Sequence, residues 1–572
     1  MRSLKSIICI LILCSLSCFA QDNGPSDPVL QELQTELARS FKILGQQPVP
    51  PYFLSYQLTD NRAISVRTDF GALVGSSDHT TRLLDLDLRV GDYKVDNTHS
   101  LRDSRFSATT FGTLSEALPI EDGNDALAVS LWLETDRHYK YAIQRFEAVK
   151  TSGSLRTTKS DTNDGDDFSK APPEKYLEPI SDFKFDRTAW EEKARAYGRP
   201  FRGDPSMLSA YVEISGEVET RRYVNNDGSV IRISSPFYRV MISASMRAKD
   251  GEVLPLHRDW MAFTPDALPK DEVVNKAVAE MVATLTALRE APVEEPYTGP
   301  AILSGRASAV FFHEIFGHRV EGDRLKDDDD AQTFKKRIGE KILPAFISVY
   351  SDPTMKRLGD RDLVGFYPFD DEGVRARRVS VVEGGVFRHF LTSRTPIAGF
   401  PSSNGHGRRQ QGYTVEARQS NLLVESAKTV SRAELKQLLI SRIKAAKKPY
   451  GLMFDDIQGG FTFTQRSMPN AFSVIPTVVY RIYPDGHEQL VRGLDLIGTP
   501  LIAFSKISAT DDQPGIFNGV CGADSGWVPV SAVAPGMLVD QIEVQRKEKS
   551  RDRLPILPTP YQKGPDTKAA GN

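Results

Sequence analysis

The sequence predicts an α+β fold, with an N-terminal mixed α/β domain containing an antiparallel sheet, followed by a β-rich, barrel-like C-terminal domain. In the first half, long segments with helical apolar spacing stand beside segments in which apolar and polar residues alternate, the pattern of half-buried strands. The second half is mostly short strand-like segments broken by one clear helix. No repeat of 20–50 residues stands out, so the chain is not predicted to be a solenoid.

The chain has 572 residues, enough for two or three domains. We predict a signal peptide at 1–20, an N-terminal domain at 21–292 with a polar insertion at 151–173, a C-terminal domain at 293–546, and a disordered tail at 547–572. Charged residues make up 26% of the chain and the net charge is -3. This composition gives no sign of a nucleic-acid-binding surface.

The first twenty residues have the pattern of an export signal. Arg2 and Lys5 precede the apolar run Ile7–Leu16, and Cys18-Phe19-Ala20 resembles a cleavage site with small residues. We therefore expect an exported protein, periplasmic or secreted, with a lipid anchor on Cys18 as the alternative. The apolar run is too short to span a bilayer, and we expect no transmembrane segment in the mature chain.

Three helices and a group of strands are predicted in the N-terminal half. The helices cover Asp27–Leu44, Asp125–Val149 and Asp271–Arg289, each with apolar residues on one side. Alternation at 84–90 predicts a strand. Four further strands, around a turn at Asn226-Asp227-Gly228, are predicted as an antiparallel meander at 208–214, 218–224, 230–233 and 238–246.

The second half is predicted to start after a linker at Pro292–Pro300. Its first helix covers about Gly305–Val320, and a second helix, Ser431–Lys447, begins with the capping pair Ser431 and Glu434. Asp485-Gly486 lies between two strand-like segments and predicts a hairpin.

His313, Glu314 and His318 bring two imidazoles and a carboxylate together in the first of these helices. Neutral imidazoles hold zinc, and an adjacent glutamate can accept a proton from water. The histidines are five residues apart, which in a regular helix is a rotation of roughly 140°. Both rings reach one ion only if the helix is distorted, as by a π-turn near Gly317. The alternative is an amphipathic helix whose histidines are neighbours by chance.

Cys521 is the one cysteine left after cleavage at Ala20, since the other three are Cys9, Cys14 and Cys18. A lone thiol in an oxidising compartment must be buried, paired between chains or bound to a metal. Glycines surround Cys521 and predict a tight turn. Two histidines and one cysteine leave the fourth zinc position open, as catalytic zinc requires. A buried inert cysteine is the alternative.

Several motifs, taken in order, resemble those of the TldD-like metallopeptidases, also called modulator of DNA gyrase proteins. The motifs are Gly299–Leu303, His313-Glu314, Gly317-His318, Glu321-Gly322-Asp323, Asp370–Gly373, Glu383–Val386, Asn404–Arg409, Gly459-Gly460 and Gly519–Gly522. The resemblance covers about 290–535 by motif and 27–290 only by general layout. It implies Zn²⁺ held by His313, His318 and Cys521, with Glu314 as catalytic base acting on peptides or unfolded proteins.

The resemblance also implies a dimer, either a homodimer or a heterodimer with a family paralogue. The main alternative is a non-catalytic zinc-binding scaffold subunit of such a dimer, and another is a hydrolase of non-peptide amides. The export signal and the acidic run at 327–330 depart from typical members. Neither Gly-x-Ser-x-Gly nor a phosphate-binding glycine-lysine loop occurs, so serine-hydrolase and nucleotide-binding functions find no support.

Other polar residues near these motifs have weaker assignments. Glu321 or Asp323 is a candidate to orient a ligand imidazole, with ordinary surface polarity as the alternative. Arg408-Arg409 could bind a substrate carboxylate or form an ordinary surface pair. The remaining histidines of the second half are predicted to be structural or surface residues, namely His389, His406 and His487.

Overall fold

The structure is a computed structural model that describes most of the chain. The described residues are 27–99, 101, 115–121, 125–154, 165–326, 333–462, 472–498, 500–547 and 557. The predicted signal peptide, the acidic run at 327–330 and nearly all of the predicted tail lie outside these residues, as does 155–164 of the predicted polar insertion.

The N-terminal half of the described chain combines helices with one large sheet. Its helices are α1 (Pro28–Leu44), α2 (Asp125–Ser154), α3 (Arg187–Gly198) and α4 (Asp271–Glu290). Its strands are β1 (Pro51–Asp69), β2 (Ala72–Val90), β3 (Glu116–Ala117), β4 (Lys175–Leu177), β5 (Met207–Asn225), β6 (Val230–Arg247) and β7 (Val253–Ala262).

These strands form a seven-stranded sheet in the order β3-β2-β1-β5-β6-β4, with β7 beside β6. The pairings are antiparallel except for β4 with β6, so the predicted antiparallel sheet is confirmed. The four predicted strands between 208 and 246 are two long strands instead. Gly216 looks like a breaker in the sequence, but it lies inside β5, where an added Cβ would be 2.9 Å from the Tyr238 ring. The glycine therefore allows a close approach and does not end the strand.

The N-terminal helices cover this sheet. Asp27 caps α1 by accepting a hydrogen bond from the Leu30 amide at 3.1 Å, as expected of an N-cap aspartate. Apolar residues of α1 and α2 form one core cluster with β1 and β2, represented by Leu33, Leu131 and Leu58. Helix α4 packs against β6 and β7. The helix α3 was not predicted, because its few buried residues give only a weak amphipathic pattern.

The C-terminal half of the described chain is rich in strands. Its helices are α5 (Gly305–Ile315), α6 (Arg432–Ala445) and α7 (Pro500–Ser505). Its strands are β8 (Tyr297–Leu303), β9 (Ile347–Ser351), β10 (Arg357–Leu358), β11 (Arg361–Asp362), β12 (Val379–Glu383), β13 (Val386–Phe387), β14 (Gly407–Arg408), β15 (Glu416–Ala417), β16 (Asn421–Ser426), β17 (Thr429–Val430), β18 (Gly451–Thr462), β19 (Phe472–Ile482), β20 (Glu488–Val491), β21 (Leu494–Gly498), β22 (Ile507–Asp511), β23 (Gly515–Ala523), β24 (Gly526–Ala534) and β25 (Met537–Arg546).

Five of these strands close into a barrel, in which β8, β18, β19, β21 and β25 pair in a ring. This confirms the predicted barrel-like C-terminal architecture. A separate six-stranded sheet has the order β13-β12-β9-β16-β24-β23. Helix α5 contacts β18 on one side and β23 and β24 on the other, so it lies between the barrel and the second sheet. Helix α6 covers the barrel from outside and has the predicted capping box of Ser431 and Glu434.

Among the described residues, the structure has no helix that is both long enough and apolar enough to cross a membrane.

Candidate metal centre

Helix α5 carries the two predicted catalytic-site residues His313 and Glu314. Ser304 caps the helix by accepting a hydrogen bond from the Ala307 amide at 3.2 Å. Almost every residue from Ala307 to Ile315 is buried, because the helix is apolar on all sides and packs between two sheets. Its position in the core fixes where the His313 ring lies.

The helix ends at Ile315, and Gly317–Arg319 forms a 3₁₀ turn that carries His318. The predicted helix through Val320, with a π-turn near Gly317, is therefore wrong. In a continuous helix the two histidine rings would point apart. Here the helix ends at Ile315, and the 3₁₀ turn directs the His318 ring towards His313. The rings of His313 and His318 consequently lie edge to face, with centroids 5.3 Å apart.

Gly317 is required by a close contact and not by its backbone angles. A Cβ at this position would lie 1.7 Å from Oε1 of Gln419, far inside van der Waals contact. Gln419 in turn donates a hydrogen bond from Nε2 to the His313 carbonyl oxygen at 3.3 Å. The missing side chain thus lets Gln419 hold the end of α5.

Cys521 lies in strand β23 and pairs with Val528 of β24. The predicted glycine-rich turn around Cys521 is wrong, since the turn follows it at Asp524-Ser525. Strand alternation turns Cys521 inward, where it is 7% exposed, while Val520 beside it is 39% exposed. Because β23 contacts α5, the inward direction brings the thiol towards the histidines.

The structure brings His313, His318 and Cys521 together. One ligand atom from each side chain lies within 4.8 Å of the others, and all three residues are buried. The Sγ of Cys521 is 3.3 Å from Nε2 of His318. The Nδ1 of His313 is buried and has no hydrogen-bond partner among the described residues. A thiol and two imidazoles in one buried cluster, one imidazole having an unpartnered ring nitrogen, are suited to a metal ion.

The charges of this cluster depend strongly on each other. Burial favours neutral groups, but the histidines lower the pKa of the Cys521 thiol well below its usual value. Burial alone would lower the pKa of His318, but the Cys521 thiolate and Glu321 outweigh it and raise this pKa to about 10. Both shifts favour a thiolate beside an imidazolium when no metal is bound. A divalent cation would take the place of the proton on the imidazole.

Glu321 contacts a predicted ligand directly, whereas Asp323 does not. Nδ1 of His318 lies 3.1 Å from the Glu321 carboxylate, which fixes the ring so that Nε2 faces Cys521. Although burial opposes ionisation, His318 and Arg418 hold the pKa of Glu321 well below its usual range. Asp323 instead accepts hydrogen bonds from Ser393 and from the Ala417 amide. Of the two candidates, only Glu321 is placed to orient an imidazole.

Arg418 links the carboxylate that orients His318 to the strand that carries Cys521. It donates from Nε to Glu321 at 3.2 Å and from Nη2 to the Cys521 carbonyl oxygen at 2.9 Å. The side chain is 1% exposed, so these bonds have little competition from water. Sequence reasoning missed Arg418, because nothing in its local sequence separates it from other arginines.

Glu314 lies next to the cluster and is held by the neighbouring barrel strand. Its Oε1 accepts a hydrogen bond from the Gly460 amide of β18 at 3.2 Å. Burial raises the pKa of Glu314 above its usual value. A carboxylate with a raised pKa accepts and returns a proton more readily near neutral pH.

The Arg408-Arg409 pair is engaged inside the protein and does not form the predicted surface pair. Arg408 stacks on Tyr367, with its Cζ 4.7 Å from the ring centroid, and donates to the Gln419 carbonyl oxygen at 2.6 Å. Arg409 faces Asp85, with nitrogen and oxygen 3.8 Å apart. His406 is buried and bonded to Ser351, which agrees with its predicted structural role.

Comparison with known proteins matches the C-terminal half of the chain to the family that the motifs resemble. Residues 296–546 match the family model described as PmbA/TldA metallopeptidase C-terminal domain. A metalloprotease of Archaeoglobus fulgidus is 32% identical over 153 residues, covering 27% of this chain and 34% of that protein. A zinc metalloprotease TldD homolog of Saccharolobus solfataricus is 21% identical over 347 residues, covering 59% of this chain and 72% of that protein.

The fold is also shared with a solved structure. TldE from Thermococcus kodakarensis superimposes with a TM-score of 0.57 over 90% of this chain and 100% of that chain, at 15% identity. This likeness concerns the fold alone. The match to the Archaeoglobus protein spans about a third of that relative's length (34%). The C-terminal half of the chain thus matches a TldD-type metallopeptidase domain, and the chain as a whole is similar to metalloproteases of that family.

Proposed function

We propose that the protein is a zinc-dependent peptidase that hydrolyses peptide bonds in unstructured peptides or proteins. In this proposal His313, His318 and Cys521 hold the zinc ion, and Glu314 is the general base. The observation that carries the proposal is the convergence of three buried donor atoms within 4.8 Å, from α5, from the turn after it and from β23.

The donor set suits zinc. A thiolate and two imidazoles are ligands that zinc prefers, and three protein ligands leave a position open for water or substrate. The unpartnered Nδ1 of His313 supports a site meant for an ion, since a buried ring nitrogen is otherwise hydrogen-bonded. The zinc metalloprotease from Saccharolobus solfataricus supports the same metal through its name.

When bound, zinc supplies Lewis acidity, which polarises a substrate carbonyl and lowers the pKa of water towards neutrality. Glu314 accepts the proton that the attacking water loses and then returns it to the nitrogen of the leaving peptide. The Gly460 amide holds one oxygen of this carboxylate in place during both transfers. Glu321 keeps the His318 ring aligned, so that the site does not reorganise during the reaction.

An extended substrate is favoured by how deeply the donors lie. His313, His318 and Cys521 are 3%, 7% and 7% exposed. A folded surface cannot reach atoms at this depth, so a narrow, extended peptide segment fits the site better than a folded one. This supports unstructured chains as the substrate class.

The alternative is a zinc-binding scaffold subunit that does not cleave peptides itself. Glu314 favours the active role, because a purely structural zinc site needs no carboxylate beside its ligands. We further propose that the protein works as a homodimer or with a paralogue, an arrangement to which the TldE-like fold lends support. We also propose export to the periplasm or beyond, supported by the N-terminal pattern, with a lipid anchor on Cys18 as the alternative.

Replacement of the proposed base tests this function. Glu314→Gln keeps the size and hydrogen-bonding capacity of the side chain but removes its basicity. We expect zinc content to stay the same while cleavage of an unstructured protein such as casein falls at least about a hundredfold. Undiminished cleavage would exclude Glu314 as the base. Zinc binding with no cleavage in the unmodified protein would favour the scaffold role.

A further inference from the structure

Three arginines from separate parts of the chain lie together beside the candidate metal centre. Arg306 is in the first turn of α5, Arg258 is in β7 of the N-terminal sheet, and Arg361 is in the short strand β11. Neither the mechanism above nor the sequence motifs make use of them.

The position of Arg306 on α5 gives the distance between these three arginines (the arginine cluster) and the metal ligands. It precedes His313 by seven residues on one helix, so the two lie on the same face about 10 Å apart along the axis. Phe517 of β23 lies between them. Its ring centroid is 5.8 Å from the His313 ring centroid and 5.8 Å from Cζ of Arg306.

A single buried carboxylate holds two of the arginines. Asp456 accepts a hydrogen bond from Nη1 of Arg258 at 2.9 Å and another from Nη1 of Arg306. The Nη1 of Arg306 also donates to the Ile457 carbonyl oxygen at 2.8 Å. These bonds use one nitrogen of each guanidinium. The Nε and Nη2 groups of both arginines have no hydrogen-bond partner among the described residues.

Arg361 is held beside them through its backbone. Its neighbour Asp362 accepts hydrogen bonds from the side chain of Asn518 in β23 and from the Phe263 amide, both at 2.9 Å. The Arg361 side chain is exposed and makes no ion pair among the described residues. Strand β11, which carries Arg361, contacts β7, the strand that carries Arg258.

The cluster keeps guanidinium donors that its carboxylates do not use. Its carboxylates are Asp456, the Asp360 side chain next to Arg361, and Asp455, which also pairs with Arg432. His257 adds no charge near neutral pH, because burial and Arg306 lower its pKa. The side chains of Arg258 and Arg306 are 32% and 33% exposed, which leaves their remaining donors accessible to a ligand. These free N–H groups suit a carboxylate ligand.

We propose that Arg258, Arg306 and Arg361 bind a carboxylate of the peptide substrate about three residues from the bond that is cut. An extended peptide advances about 3.3 Å per residue, so three residues span the 10 Å between the cluster and the metal ligands. Guanidinium groups bind carboxylates in paired, charge-assisted hydrogen bonds. The carboxylate comes either from the substrate's C-terminus or from an aspartate or glutamate side chain. This inference deepens the proposed peptidase function and rests on it.

Binding to the Glu314→Gln protein tests the site separately from catalysis. The zinc-loaded, full-length variant is titrated with three fluorescent six-residue peptides and binding is followed by anisotropy. One peptide has a free C-terminal acid, one has a C-terminal amide, and one is amidated with a single glutamate. We expect the free acid or the glutamate peptide to bind about tenfold tighter than the plain amide, and the tighter of the two identifies the source of the carboxylate.

Variants assign this preference to the arginines. Arg361→Gln should remove most of the preference without disturbing the fold, because the side chain supports no other residue by an ion pair. Arg306→Lys keeps the positive charge and should retain part of the preference for the carboxylate. Arg378 pairs with Glu425 away from the arginine cluster. Arg378→Gln is therefore the matched control and should retain the whole preference for the carboxylate.

Cleavage products from the active protein give an independent readout. Mass spectrometry should place the cut about three residues from the carboxylate, and Arg361→Gln should raise KM with little change in kcat. The proposal is overturned if all three peptides bind equally, or if Arg361→Gln and Arg306→Lys both keep the full preference. A preserved carboxylate preference in a protein that cuts none of the peptides would count against the peptidase function but support this site.

Discussion

Nδ1 of His318 lies 3.1 Å from a carboxylate oxygen of Glu321, while Nε2 of the same ring faces the Cys521 thiol at 3.3 Å. One ring is thus held by a carboxylate on one side and presented to the candidate metal position on the other. This is the arrangement by which proteins set the orientation and basicity of a histidine ligand.

Glu321→Gln should weaken metal binding without abolishing it. The amide no longer carries the charge that favours His318 as a strong ligand, and we expect affinity for zinc to fall about 10–100-fold. Competition with a chromophoric chelator measures this change. Asp323→Asn is the control, since Asp323 contacts Ser393 and the Ala417 amide but neither histidine. Equal affinities for Glu321→Gln and the unmodified protein would contradict the role given to Glu321.

Gly317→Ala should disturb the site through Gln419. The added methyl would overlap with the Gln419 side chain, and relieving such an overlap typically costs about 1–3 kcal/mol of stability. Chemical denaturation and zinc affinity both report the effect. Shortening the opposing side chain in a Gly317→Ala/Gln419→Ala double variant should recover part of the lost stability. Gly459→Ala is the control, because no atom of the described residues lies within 4 Å of its added Cβ. Unchanged stability and zinc affinity in Gly317→Ala would show that the close contact between Gly317 and Gln419 is not required.

His406 should make stability depend on pH. Complete burial, with a smaller contribution from Arg408, lowers the pKa of His406 to about 3, whereas an unfolded chain has a histidine pKa of about 6.5. Between these values the unfolded chain binds a proton that the folded chain does not. The contribution of His406 to stability is therefore present above pH 6.5 and is lost as the pH falls, by about 2–3 kcal/mol at pH 4.5.

Urea denaturation of the unmodified protein and of His406→Gln at pH 7 and pH 4.5 measures this linkage. The variant lacks the titrating group, so the difference in unfolding free energy between the two proteins should shrink by that amount at the lower pH. A difference that stays constant between the two pH values would show that His406 titrates normally in the folded state.

The regular patterns of the sequence predicted much of the fold. Apolar spacing and an N-cap aspartate placed α1 at almost its observed bounds, and Ser431 with Glu434 marked the start of α6. Such features are local, because a cap or an amphipathic face depends on residues a few positions apart. The long strands β5 and β6 were each divided in the prediction. In β5 the gap contains Gly216, which signals a break unless the opposing Tyr238 ring is known.

The candidate site was predictable in its residues but not in its geometry. His313, Glu314, His318 and Cys521 could be selected by chemistry and by resemblance to a family. The break after Ile315 depends on Gln419, a residue about a hundred positions away, and the burial of Cys521 depends on pairing with β24. The roles given to Arg418 and to the cluster of Arg258, Arg306 and Arg361 depend on contacts between distant segments. Contacts of this kind leave no periodic pattern in the sequence.

The central claim is that His313, His318 and Cys521 hold one metal ion, and metal analysis of the purified mature protein tests it most directly. We expect about one zinc per chain, lost in Cys521→Ser and retained in His487→Gln, which alters an exposed histidine, with circular dichroism confirming that both variants fold. Unchanged zinc content in Cys521→Ser and in His318→Ala would contradict the claim.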